Sequence, residues 1–339
     1  MIVHERVRRL DQATMNTAPL VSIVLPVKNG SGKLQDCLES LRHQDVPPET
    51  YEVIVADGRS TDNTKEIARI YGCRVVDNPR ETVAGGRNAG LAVARGRYIA
   101  FSEDDIVLPP NWLSEGIRVL SSDTRIAAVG GPTPIPACAS AFAKAVDLIF
   151  RAAARSGYSV QSGFHQGYRE VDDIPGGNAM YRREYLGDGQ VLDELLLTAE
   201  DVDLHMRLRE KGHVLVFSPA FLAWHHKRDA PKRFFTQIRR FAQGRVQLWR
   251  RHKKALRPLH WACALVPVLF LTLSPLISWQ VIFAIAIATV VGLVAVGLVG
   301  RSGLSASLWL PLACAIFLVA WPIGFFREFI FPTTDATGK

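Results

Sequence analysis

Hydrophobic and polar positions divide the chain into two regimes. Between residues 21 and 131, short apolar runs alternate with segments whose apolar positions recur every three or four residues. The runs VSIVLPV (21–27), YEVIVAD (51–57), CRVVD (73–77), RYIAF (97–101) and IAAVGG (126–131) read as strands. Lys33–His43, Thr64–Tyr71, Gly85–Gly96 and Pro110–Leu120 read as helices. The first gathers Leu34, Cys37, Leu38 and Leu41 on one face, and Asp62 or Asn63 stands where a cap of the second belongs. Strands alternating with helices predict an α/β domain with a mainly parallel sheet. In such sheets ligands bind beyond the carboxyl ends of the strands. Asp57 and the triplet Glu103, Asp104 and Asp105 fall at such ends, although acids also serve there as plain turn residues.

Beyond residue 131 the pattern loosens. SAFAKAVDLIFRAAA (140–154) is an amphipathic helix, suited to packing or to membrane contact. Residues 155–173 read as a polar loop. PGGNAMYRRE (175–184) follows, then a helix beginning near AEDVDLHMRLREKG (199–212) and a strand pair around HVLVFSP and FLAWHH.

From Leu259 to Phe326 almost every residue is apolar. Leu259–Ser278, Trp279–Gly300 and Leu308–Phe326 each approach the ~20 residues that span a bilayer core. None carries a charge, and tryptophans sit near their ends. Pro267, Pro275, Pro311 and Pro322 leave the count open, because they suit kinks or re-entrant turns. The charged start MIVHERVRRLDQ lacks the apolar core of a signal peptide. Residues 225–257 carry twelve Lys or Arg against the single acid Asp229. That +11 exceeds the whole chain's +8, so the pI near 9.4 is a local effect. Basic residues just before a span predict a cytoplasmic catalytic domain. Nucleic-acid binding is not needed to explain the charge. Within the basic segment, Phe234, Ile238, Phe241 and Trp249 form an apolar stripe, as expected of a helix lying on anionic lipid. The five cysteines show no metal-site spacing and are expected to be free thiols. The expected organisation is a lead-in (1–19), a cytoplasmic α/β domain (20–232), a basic interfacial helix (233–257), about three transmembrane helices (258–328) and a tail (329–339).

Six segments in order, VSIVLPVKNG, VIVADGRSTDNT, GGRNAGLAVARGRYIAFSEDDIVLPPNWL, GGNAMYRRE, AEDVDLHMRLREKGH and QIRRFAQG, resemble glycosyltransferase family 2. These are inverting, nucleotide-sugar-dependent enzymes of the GT-A, Rossmann-like fold, and the resemblance covers residues 20 to 250. It implies that Asp57, Pro26 and Asn29 hold the nucleotide. A carboxylate such as Asp57 can accept from a base N–H. It implies that Arg87 and Asn88, at a helix start, face the phosphates; a surface salt bridge is the plainer role for Arg87. Aligned on the family's Asp-x-Asp, Asp105 is the metal ligand, Glu103 stands at the first acid and Asp104 is the spacer. Glu103, one methylene longer than the family's Asp, contacts either the donor or the metal. Gly176, Gly177 and Asn178 correspond to the acceptor-side loop. Asp201, beside Glu200, corresponds to the general base, whereas Glu200 and Asp203 also suit the start of a helix. Gln237 and Arg240 match a Gln-x-x-Arg-Trp motif at the acceptor and pyrophosphate channel, with Phe241 replacing Trp. For His225 and His226, metal ligation and a structural role both stay open.

These readings predict a membrane-attached inverting transferase using Mg2+ or Mn2+, because a departing diphosphate needs a cation or basic groups. The expected donor is a UDP-sugar, and the expected acceptor is lipid-linked or a cell-surface glycan. A polyprenyl-phosphate sugar synthase, a processive polysaccharide synthase and an inactive nucleotide-binding scaffold are the alternatives.

Overall fold

The computed structural model of the chain describes residues 18–155, 167–187, 189–227, 229–300 and 303–333. Most of the lead-in, positions 156–166 of the predicted polar loop, Arg228 and the end of the tail lie outside them.

The first half of the chain forms β1 (Val21–Val27), α1 (Leu34–Arg42), β2 (Tyr51–Asp57), α2 (Thr64–Ile70), β3 (Arg74–Asp77), α3 (Val83–Val93), β4 (Tyr98–Phe101), β5 (Ile106–Val107), α4 (Trp112–Ser122) and β6 (Ile126–Gly130). Then follow α5 (Ala141–Arg155), β7 (Arg169–Val171), β8 (Ala179–Arg182), α6 (Arg183–Leu186), α7 (Glu200–Glu210), β9 (Val214–Phe217) and β10 (Trp224–His225). Four long helices close the chain: α8 (Pro231–Arg251), α9 (Pro258–Leu273), α10 (Trp279–Val299) and α11 (Leu304–Ile330).

Eight strands make one sheet in the order β3-β2-β1-β4-β8-β6-β9-β7. The pairs β3–β2, β2–β1, β1–β4 and β6–β9 are parallel, while β8 runs antiparallel to β4 and β6, and β7 to β9. β1 is central, so six of its seven residues are buried and only Pro26 is half-exposed. Its side chains alternate between the two faces. Val21, Ile23, Leu25 and Val27 join a core with Leu34, Leu38 and Trp112, whereas Val24 joins Ile99, Phe101 and Leu204 on the other face.

The predicted elements from β1 to β6 are present within a few residues. The predicted pair HVLVFSP and FLAWHH does not pair with itself. β9 enters the large sheet, and β10 pairs antiparallel with β5 in a separate two-stranded ribbon. β5 is only two residues long, too short for any periodicity to reveal. β7 lies within the stretch read as a polar loop.

The last helices form a third core. Phe142, Val146 and Phe150 of α5, Phe234 and Ile238 of α8, Ala264 of α9, and Trp321 and Phe325 of α11 pack together. The apolar stripe of α8 therefore faces protein: Phe234 and Ile238 are fully buried, and Phe241 and Trp249 are half-buried. Helix α5 likewise packs on this core. At Gly324 the two backbones touch, and a Cβ there would collide with the Arg239 carbonyl of α8. The helices Pro258–Leu276, Trp279–Val299 and Leu304–Ile330 are long and apolar enough to cross a membrane. Pro267 lies inside α9, and Pro311 and Pro322 lie inside α11, so none of these three ends its helix.

Candidate active site

The loops at the carboxyl ends of β1 and β2 are stitched together by their own polar groups. Asn29 sits in the left-handed region at φ 53°. Its backbone N–H donates to Ser60 Oγ at 2.8 Å, and its Oδ1 accepts from the Thr61 N–H at 2.9 Å. Asp57 ends β2 and is buried. One oxygen accepts from the Ser60 N–H at 3.1 Å and faces Lys65 Nζ at 3.2 Å. The other, Oδ1, is buried with no hydrogen-bond partner among the described residues. A buried acceptor left open is costly unless a ligand fills it. Pro26 lies at the same end of β1.

The acidic turn follows β4. Asp105 is buried, with its carboxylate 3.3 Å from His225 Nε2 and 3.6 Å from Lys33 Nζ. Register places His225 opposite Ile106 in the β5–β10 ribbon, hence beside Asp105. Ligand atoms of Glu103, Asp105 and His225 all lie within 4.8 Å of one another. Two carboxylates and an imidazole are a donor set that fits a divalent ion such as Mn2+. Asp104 points away from this set toward Gly30, whose added Cβ would lie 2.5 Å from its Oδ2. Burial and the Asp105 and Glu103 carboxylates push Asp104 up to about 7.

Arg87 is almost wholly buried within α3, where it bridges two acids. Its guanidinium donates to Glu200 Oε1 at 2.9 Å and lies 3.5 Å from Glu103 Oε1. Burial and the neighbouring Asp201 raise Glu200 to about 7, with Arg87 opposing the rise. A surface salt bridge does not describe this pair. Replacing Arg87 with Met strands Glu200 in the interior and should cost about 3–5 kcal/mol of stability. A lower thermal unfolding midpoint checks this, and Glu200→Leu in the Arg87→Met background should recover part of it.

Asp201 stands in the first turn of α7 after Ala199, which takes a left-handed φ of 70°. Its Oδ2 accepts from the Gly176 N–H at 3.1 Å. The next residue, Gly177, approaches Glu103, where an added Cβ would lie 2.8 Å from Oε1. A Cβ on Gly176 would strike the Asp201 carboxylate. Gly176→Ala should therefore lower turnover sharply while leaving nucleotide binding intact, measured by kcat and by nucleotide titration. One turn further along α7, His205 is fully buried. It is hydrogen-bonded to Tyr181 at 2.8 Å and to Asp173, which fixes the helix against β8.

Arg87, Glu103, Gly176, Gly177, Glu200, Asp201, His225, Gln237 and Arg240 all line one cavity of about 830 Å3. Two residues expected at the ligand are spent on the fold. The Asn178 amide is fully buried, accepting from Trp112 Nε1 at 2.7 Å and donating to the Phe221 carbonyl at 2.8 Å. Asn88 exchanges hydrogen bonds with the Leu192 backbone at 2.8 and 2.9 Å, which pins the segment leading to α7. Neither residue lines the cavity. A second cavity, of about 980 Å3, lies at Asn88, Arg97 and Arg183, away from these acids.

Residues 22–189 match the family Glycosyl transferase family 2. Glycosyltransferase AglE of Haloferax volcanii is 25% identical over 270 residues, covering 77% of this chain and 84% of that protein. A Methanococcus voltae enzyme is 23% identical over 326 residues, covering 91% and 97%. Its name is dolichyl N-acetyl-alpha-D-glucosaminyl phosphate 3-beta-D-2,3-diacetamido-2,3-dideoxy-beta-D-glucuronosyltransferase. Among solved structures, the Pyrobaculum calidifontis mannosyltransferase in complex with GDP-Man and Mn2+ superposes with a TM-score of 0.63. That match has 17% identity and covers 96% of this chain and 94% of the other. The chain is thus a glycosyltransferase, with a GT-A α/β sheet and three membrane-length helices. It belongs to family 2.

Proposed function

We propose that the protein is a membrane-attached, metal-dependent inverting glycosyltransferase that moves a sugar from a nucleoside diphosphate to a lipid-linked acceptor. The observation that carries this reading is the arrangement around Gly176 and Gly177. Gly176 adjoins Asp201, and Gly177 adjoins Glu103, which is grouped with Asp105 and His225. An in-line displacement needs this separation, with a proton acceptor for the incoming hydroxyl and charge control for the leaving group. Asp201 takes the acceptor proton. Arg87 steadies Glu103 and Glu200, and Arg240 with Gln237 faces the diphosphate and acceptor channel. Glu103, Asp105 and His225 would hold the ion, which supplies positive charge for the leaving diphosphate. The imidazole among them favours Mn2+ over the harder Mg2+. Asp57 Oδ1 accepts the base N–H, and uracil's imide suits it, so we read the donor as a UDP-sugar.

The lipid-linked acceptor is supported by the dolichyl-phosphate-linked substrate in the name of the Methanococcus relative and by the helices fused to the catalytic domain. The basic residues of α8 support a cytoplasmic catalytic face. Incubating full-length protein with a donor and a lipid-linked saccharide should give a product one sugar longer. A ladder of products would replace this reading with a processive synthase.

A further inference from the structure

We infer that the membrane-side half of the cavity seats the acceptor's own anchor. The phosphate of an isoprenoid-phosphate carrier lies on α8, and its hydrocarbon chain lies between α5, α9 and α11. This rests on the proposed transfer to a lipid-linked acceptor and gives that acceptor its chemistry.

The cavity does not end at the catalytic acids. Lys232, Arg233, Arg240 and Arg245 of α8 line it. Among the described residues, none of these four has an acidic side chain within 4.0 Å, whereas Arg250 further along the helix pairs with Glu328 at 3.1 Å and Arg251 pairs with Asp193. The carboxylates that share the lining, Glu103, Asp173, Glu200 and Asp201, make no ion pair with these four, so the α8 cations are open to an anion, and phosphate suits guanidinium groups best. The same cavity has an apolar part to its lining, with Phe150 of α5, Cys263 of α9, and Phe317 and Trp321 of α11, all in or against one hydrophobic cluster. An uncharged lipid leaves the cations unmatched, and a water-soluble phosphate leaves the apolar arm uncovered. A long hydrocarbon chain ending in phosphate satisfies both.

The seat is also tied to the base. Thr198 Oγ1 donates to the Arg240 carbonyl at 3.2 Å, and Ala199 and Glu200 lead directly to Asp201. A carrier phosphate held on α8 therefore delivers the sugar attached to it toward Asp201. The carrier enters sideways from the bilayer between α9 and α11, and its phosphate is an anchor, not the nucleophile.

The test uses full-length protein in phosphatidylcholine nanodiscs with radiolabelled geranylgeranyl phosphate. Binding should saturate. Inorganic phosphate, geranylgeraniol and phosphatidylglycerol should each compete at least about tenfold less well than unlabelled probe. Arg240→Gln with Arg245→Gln should weaken binding by a similar factor, and Cys263→Trp, which fills the apolar arm, should do the same. Thermal unfolding checks that both variants fold, and the wild-type competition series decides the matter if they do not. Equal competition by phosphatidylglycerol, or variants that bind like wild type, overturns the seat. Nucleotide-diphosphate release from a donor panel is read on parallel samples of the same nanodiscs to which a lipid-linked saccharide and Mn2+ are added. Release without saturable probe binding overturns the seat alone, and saturable binding without release overturns the transferase reading alone.

Discussion

Replacing Asp201 with Asn is expected to lower sugar transfer by about 100- to 10,000-fold, the range a positioned acid–base group contributes. The substitution keeps an oxygen that can still accept the Gly176 N–H, so the loop geometry at 3.1 Å is retained. What disappears is the ability to take a proton. Nucleotide binding should be unchanged, so the loss should appear in kcat. Glu200→Gln is a different case, because that carboxylate is spent on Arg87. Its effect should appear first in thermal stability. Full activity of Asp201→Asn would point to an acceptor phosphate that needs no base, and so to a polyprenyl-phosphate sugar synthase.

The second large effect separates neighbouring acids. Asp105→Ala removes a buried carboxylate from the Glu103–Asp105–His225 set and should abolish transfer at any Mn2+ or Mg2+ concentration tried. Asp104→Ala should retain most activity, because that side chain faces Gly30. It also carries a pH signature. The native Asp104 pKa of about 7 lies above the ordinary 3.8. Between those values the native chain holds a proton that the unfolded chain has released. Stability without divalent ions therefore falls as pH rises through this window. Asp104→Ala should flatten that slope, measured by unfolding midpoints across the window. Equal loss of transfer from both substitutions would show that the acid triplet has been read in the wrong register.

Much of this site is legible in the sequence, for physical reasons. Buried strands leave uninterrupted apolar runs, so β1, β2 and β4 and the acids at their ends stand out. The positions of Asp57, Glu103 and Asp105 follow from the rule that ligands gather at those ends. His225 is legible only as a histidine near a strand. What brings it to Asp105 is a ribbon of two two-residue strands, β5 and β10, joined across 117 positions from Val107 to Trp224, and so short a pairing leaves no period to read. Asn88 and Asn178 show the converse. Their motif places them at the ligand, but an amide can satisfy backbone groups just as well, and burial decides for the latter. The stripe of α8 is visible as a stripe, yet nothing in it distinguishes lipid from the apolar face of α11. Arg87 reads as a phosphate cation until its two acids, which come from the turn after β4 and from α7, are brought together in space.

The most direct test of the central claim is a donor screen with full-length protein in lipid bilayers. Nucleotide-diphosphate release is measured for UDP- and GDP-sugars with Mn2+ and again after EDTA. The account predicts release from at least one donor, lost with EDTA, restored by Mn2+ and absent in Asp105→Ala. Release that persists undiminished in EDTA, or no release from any donor with Mn2+ and a lipid-linked acceptor present, would contradict it.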